Sequence, residues 1–293
     1  MIRAFSPGLR YAATGALCFS LMSAMAKMVG ERIPVQEIVL LRGIVFGVCT
    51  LYLLKRKGLD PWGTERPLLA LRGLLGYGAL SCFFWAVMHL PLADTTTFHF
   101  TNPVFGALLA ALVLGEVLRK WEVLLVLLSL GGVIMIARPE ILFGGGEGLP
   151  PLAVGIALTG AVFSAAAYVT AKHLTKTNDP LVIVFYFALV SVLGSFPFSL
   201  ANFTTPVGWE WVLLAGVGLG TLGGQVFLTK ALQVEKAVRV MAVGYLQIVF
   251  AGILGVLLFS EIPDAWSVAG AGVIIGSTFL MGTLHPVATP RGR

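Results

Sequence analysis

The chain has 293 residues, 57% of them hydrophobic and 12% charged, with a net charge of +6 and a mean hydropathy of +0.92. Soluble domains carry roughly 25% charged residues, so about half the usual charge is missing. That excludes a disordered chain, a nucleic-acid-binding domain and nearly every water-soluble enzyme, and leaves an integral membrane protein whose first partner is the lipid bilayer.

A helix needs roughly 20 mostly apolar residues to cross a bilayer, and ten such runs follow one another. The first, Leu9–Val29, has no small-residue cleavage site after it and reads as a retained span. Its small residues Ala12, Ala16, Ser20 and Ala24 recur every four, a row that lets another backbone approach closely. Lys27 and Glu31 stand four apart at its outer end and can pair. In the second run, Val35–Leu54, Arg42 sits about 10 Å from the start at 1.5 Å per residue. At that depth it either pairs within the bundle, locks a gate or holds a substrate carboxylate. The third, Arg66–Met88, carries Tyr77, Ser81 and Trp85 on one helical line. These aromatic walls suit a flat or apolar side chain, although Trp and Tyr near span ends also serve as interfacial anchors.

The fourth run, Pro91–Gly115, places Thr95, His99, Asn102 and Gly106 on one stripe. Pro103 has no N–H and crowds the carbonyl of His99, which predicts a kink there. His99 is the one deep group that titrates near neutral pH. The fifth run is Trp121–Ala137, and Gly144–Gly146 then links two halves of the chain; no Lys-Ser/Thr follows, so it is no phosphate loop. The sixth, Leu152–Thr175, carries Ser164 with Tyr168 one turn on. After the seventh, Leu181–Leu200, Asn202-Phe203-Thr204 forms a sequon without meaning in a bacterial protein. The eighth, Trp209–Leu232, has Gly216, Gly220 and Gly224 in a row. The ninth, Val238–Phe259, carries Val240, Gly244, Gln247 and Ala251 on one stripe, and the tenth is Ala265–Leu284. Trp121, Trp209, Trp211 and Trp266 read as interfacial anchors.

Basic residues set the orientation. With the N-terminus inside, 16 of the 20 Lys and Arg fall at inner ends, Arg72 among them, and only Lys27, Arg32, Arg42 and Arg138 outside. Both termini are therefore inside. Cys18, Cys49 and Cys82 lie in apolar runs without metal-ligand spacing, and an odd number gives no disulfide framework. No metal or cofactor is implied.

A shift of about 145 positions lays the second half on the first: Gly78 meets Gly223, Ala86 meets Ala231, Glu116 meets Glu261, Trp121 meets Trp266 and Gly131 meets Gly276. One residue less aligns Phe19-Ser20 with Phe163-Ser164. Residues 1–146 and 147–293 are thus expected to be two five-helix repeats, and five being odd, the second is inverted. Inverted repeats are a transporter signature, because their interface can rock to open each side in turn. Asn102 and Gln247 fall opposite one another in this alignment, each amide offering donors and an acceptor to a zwitterion.

The stretches Leu92-Ala93-Asp94 through Asn102-Pro103, Leu114-Gly115-Glu116 and Gly131-Gly132 resemble the EamA repeat of the drug/metabolite transporter superfamily, and the resemblance covers nearly the whole chain. Gly244-Tyr245-Leu246-Gln247 adds a likeness to its exporters of aromatic and other amino acids, the YddG type. The resemblance implies ten helices around a central cavity bounded by the first, third, fourth, sixth, eighth and ninth spans. That makes Ser20, Ser164 and Tyr245 further candidate contacts, beside His99, Asn102, Tyr77, Ser81, Trp85, Tyr168 and Gln247, with Pro103, Arg42 and Gly244 as gating or structural positions. Ile248 replaces Pro103 in the second half and Ser260 replaces Gly115, which argues against a symmetric kink. Glu116 and Glu261 read as loop-fixing acids. No Asp or Glu lies at a span's midplane, which disfavours the exchange of protons for a cationic drug and leaves an exporter of drugs or of quaternary or aromatic cations as the alternative reading. A membrane-embedded lipid enzyme would need His89, Asp94 and His99 to act with a nucleophile that is not there. The expectation is a monomeric inner-membrane exporter of amino acids.

Overall fold

The computed structural model describes residues 6–30, 32–143, 149–200, 203–260 and 262–284. Glu31, Gly144–Gly146, Asn202 and Glu261, and with them the junction of the two repeats, lie outside the described residues.

Among the described residues there are thirteen helices, twelve of which make ten spans, each long and apolar enough to cross a membrane. They are α1 (Pro7–Val29), α2 (Val35–Arg56) and α3 (Arg66–Val87), then a fourth span broken into α4 (Leu92–His99) and α5 (Asn102–Leu114), then α6 (Lys120–Ala137). After the short α7 (Glu140–Phe143) come α8 (Pro151–Leu174), α9 (Pro180–Leu200) and α10 (Glu210–Val234). The ninth span is broken into α11 (Ala237–Gly244) and α12 (Leu246–Phe259), and α13 (Ala265–Thr283) is the tenth. Each span lies within three residues of its expected end. Local chemistry sets several starts: the Ser6 hydroxyl accepts from Leu9 N at 3.2 Å, and the Asp264 carboxylate accepts from Ser267 N at 3.0 Å, satisfying donors that a helix start leaves open. Those Ser267 contacts, with Arg138 2.8 Å away, hold the Asp264 carboxyl below its ordinary range.

The two halves interleave. α1 packs on α10 and α3 on α8, pairs that the 145-residue shift exchanges, while α2 packs on α9 and α6 on α13. The glycine row of α10 receives side chains of α1: a Cβ on Gly224 would stand 2.5 Å from the Phe19 ring, one on Gly220 3.0 Å from Met22, and one on Gly216 would collide with Met25. Close packing is what this row provides. Large apolar side chains such as Leu112 and Leu257 face outward, and Trp209, Trp211 and Trp266 are exposed at span ends. Trp121 differs from an anchor, because the Arg239 guanidinium lies over its ring at 5.3 Å.

Both the fourth and ninth spans break, which corrects the expectation of asymmetry. The first break falls at Phe100-Thr101, just before Pro103; the second falls at Tyr245 with no proline. Phe100 and Tyr245 are 145 positions apart, and the Tyr245 hydroxyl donates to the Phe100 carbonyl at 2.9 Å. Gly244 weakens the helix before the second break, and Tyr245 anchors the broken turn across the pseudo-symmetry axis. The departure at Ser260 is equally silent in the backbone: Ser260 takes φ 56° where Gly115 takes 67°, both left-handed helix ends. A non-glycine residue there costs about 1 kcal/mol. Ser260→Gly is therefore expected to raise thermal stability slightly, by up to about 1 kcal/mol, as read from the unfolding midpoint in detergent.

Candidate functional site

A cavity of about 500 Å³, part of it open to solvent, lies where the two broken spans meet α1, α8 and α10. Its polar lining is His99, Asn102, Tyr168 and Gln247, and its apolar wall includes Phe19, Phe100 and Met241. No charged side chain lines it. The breaks explain this placement. Asn102 opens α5 and Gln247 lies one residue into α12, so the two repeat-related amides stand at the chain's two interrupted turns.

A serine of the other half meets each of these two positions. Asn102 Nδ2 donates to Ser164 Oγ at 3.3 Å, and Ser20 Oγ donates to the main-chain carbonyl of Gln247 at 2.8 Å. Ser20 and Ser164 are the pair aligned by the 144-residue shift, one reaching a side-chain amide and the other the main chain at the second break. Their geometry makes them orienting residues behind the wall, since neither lines the cavity. His99 closes α4 with its ring 5.0 Å from Phe83 and 5.5 Å from Phe100. Pro103 and Gly244 also line the cavity, and a Cβ on Gly244 would meet nothing within 4 Å.

Besides Ser20 and Ser164, five expected positions stand apart from this lining. Tyr245 is fully buried with its hydroxyl committed to Phe100. Tyr77 packs its ring against Gly194 of α9, where a Cβ would collide with it. Ser81 is half-buried on α3, and Trp85 stacks on His89 at 3.7 Å near Ala153 and Ala157 of α8. The α3 line thus turns its aromatics to neighbouring helices. Arg42 is buried beside α1, with Nη1 3.8 Å from the Met22 sulfur as its hydrogen-bond partner.

The inner side of the cavity is shut. α5 packs on α11, and a Cβ on Gly106 would collide with the Met241 side chain. Below this contact, Glu122 accepts from Arg239 Nε at 2.7 Å and lies 3.3 Å from Lys236 Nζ. Glu116 lies 3.3 Å from Lys172 Nζ and accepts from Ala237 N at 3.1 Å, capping α11. Glu235 joins Arg239 at 3.4 Å and accepts from Ser6 Oγ at 2.7 Å. All of these ties except the one between Glu235 and Arg239 cross between the halves. On the outer side α4 packs on α8, α6 and α3, whereas α12 packs on α1 and α13. The broken spans therefore close on the basic side and part on the other. By position alone Lys172, Lys236 and Arg239 read as orientation charges; their spacing from Glu116 and Glu122 carries no local signal, because the partners are more than 50 residues apart.

The model of the EamA-like transporter family matches residues 6–138 and again 151–283. A pseudopaline exporter of Pseudomonas aeruginosa is 36% identical over 92% of this chain and 93% of its own. Solute carrier family 35 member G1 of Homo sapiens is 32% identical over 92% of this chain and 77% of its own. An S-adenosylmethionine uptake transporter of Rickettsia prowazekii is 26% identical over 89% and 87%. A solved crystal structure shares the fold with a TM-score of 0.81 at 20% identity, covering 94% of this chain and 96% of that one. With two matched repeats, ten spans and transporter relatives at this identity, the chain belongs to the EamA-like transporter family and is a small-molecule transporter.

Proposed function

We propose that the chain exports small zwitterionic metabolites, amino acids with aromatic or other apolar side chains first, by alternating access through the central cavity. The observation that carries this reading is the pairing of two repeat-related amides, Asn102 and Gln247, inside a wall of Phe19, Phe100, Tyr168 and Met241. Amides hydrogen-bond both ammonium and carboxylate groups, and the aromatic wall takes up an apolar side chain by burial. Residues 1–146 and 147–293 act as the two halves that rock, a single chain sufficing to enclose the cavity, and the excess of inner basic residues fits a bacterial inner membrane. The relatives named for pseudopaline and for S-adenosylmethionine favour a second reading, in which larger metabolites or drugs are carried.

Efflux of labelled L-phenylalanine, L-tryptophan, L-leucine and L-alanine from proteoliposomes, with and without a pH gradient, tests the proposal. Flux of the aromatic and aliphatic members above empty liposomes is expected. No flux for any of them from folded protein overturns the amino-acid reading in favour of the second.

A further inference from the structure

Arg72 lies six residues into α3, about 9 Å from the inner end of its span. It is 1% exposed, among the most deeply buried large side chains of the protein. Its surroundings come from three further spans. Nη2 donates to Gln225 Oε1 of α10 at 2.8 Å, and the guanidinium lies over the Phe187 ring of α9 at 4.7 Å. Tyr168, which lines the cavity, belongs to α8, and α8 packs along α3. Glycines at 73 and 76 let α9 close in; a Cβ on Gly76 would stand 2.9 Å from Phe187 and 3.3 Å from Arg72 Nη1.

This cation is incompletely matched. Nε and Nη1 are buried without a hydrogen-bond partner, and no carboxylate pairs with Arg72 among the described residues. A charged group in a membrane interior is retained when it faces a pathway or meets a counter-charge, and one left unpaired costs several kcal/mol. The cavity beside it has the opposite deficiency: its lining holds amides, an imidazole and a phenol, and no cation. Both deficiencies are resolved by one ligand.

We propose that Arg72, reached past Tyr168 and steadied by Gln225, is the carboxylate-binding residue of the transport cavity. The guanidinium suits this role because it stays charged when buried and offers several donors to one carboxylate. Phe187 supports its flat face, leaving Nε and Nη1 for the anion. The inference deepens the transport reading by naming a substrate carboxylate, and it does not depend on the substrate being an amino acid.

Thermal unfolding of the purified protein in detergent, followed by tryptophan fluorescence, provides the test. The probes are L-phenylalanine, phenylacetate and succinate, against L-phenylalaninamide as the uncharged counterpart at the carboxyl. At least one carboxylate is expected to raise the unfolding midpoint of the wild type while the amide leaves it unchanged. Arg72→Gln is expected to need at least tenfold more carboxylate for the same shift. Arg72→Lys keeps the charge, so it covers the case in which the glutamine variant fails to fold; with fewer directed donors it should respond about tenfold more weakly than wild type. Stabilisation by phenylacetate or succinate but not by L-phenylalanine supports the Arg72 site and counts against the amino-acid reading. The site is overturned if no carboxylate stabilises the wild type, if the amide works as well as the acid, or if a folded Arg72 variant responds like the wild type.

Discussion

Glu122→Gln is expected to open the inner side of the protein and to abolish net transport. The Glu122 side chain is fully buried and receives Arg239 at 2.7 Å and Lys236 at 3.3 Å, while also accepting from Arg119 N at 3.0 Å at the start of its own helix. Glutamine keeps the size and the acceptor for Arg119 but removes the charge between two cations. Removing one partner from a buried pair costs about 3–5 kcal/mol, and each 1.4 kcal/mol is about tenfold in an equilibrium. The same energy that α11 loses holds it against α5 and α6, so the inner-closed state should lose its advantage. The measurement is maleimide labelling of Ala16→Cys from the inner side, with Cys18, Cys49 and Cys82 replaced by alanine. Ala16 lines the cavity and is 3% exposed. Labelling should rise at least tenfold on adding Glu122→Gln. Unchanged labelling with a lower unfolding midpoint would make the ionic cluster a structural brace only.

The second large effect is expected at the first break. Asn102→Ala and His99→Ala should each lower flux at least tenfold, about 1.4 kcal/mol in the transport barrier, with little loss of folded protein. Asn102 is buried and makes one side-chain bond, to Ser164, so its removal leaves a single hydroxyl to find a new partner, a cost of about 1 kcal/mol. His99 packs between Phe83 and Phe100 and makes no ion pair among the described residues. Stability is therefore largely spared in both. Wild-type flux in both purified variants would dismiss the fourth-span site.

What was legible in the sequence follows from local chemistry. Span ends, the break ahead of Pro103 and the opposition of Asn102 to Gln247 all rest on hydropathy, one imino acid and a repeat. The break at Tyr245 was not legible, because no residue near it forbids a helix; it depends on a hydroxyl that reaches a carbonyl 145 positions away. Tyr77 and Trp85 share a helical line that sequence spacing can find, but which neighbour that line faces is settled by Gly194 of α9 and by Ala153 and Ala157 of α8. Arg72 was hidden for another reason. A basic residue six positions from a span's inner end satisfies the orientation rule, so only its contacts with Gln225 and Phe187 mark it as deeper than its neighbour Arg66.

The central claim is that the inner halves of the fourth and ninth spans must separate for substrate to pass. Gly106 and Met241 meet at that contact, and a Gly106→Cys, Met241→Cys pair in a background lacking Cys18, Cys49 and Cys82 can be joined by oxidation. Efflux from proteoliposomes, measured before oxidation, after it and after reduction, is the most direct test. Flux that stops on cross-linking and returns with reductant is the predicted result; full flux through protein shown to be cross-linked would contradict the alternating-access account.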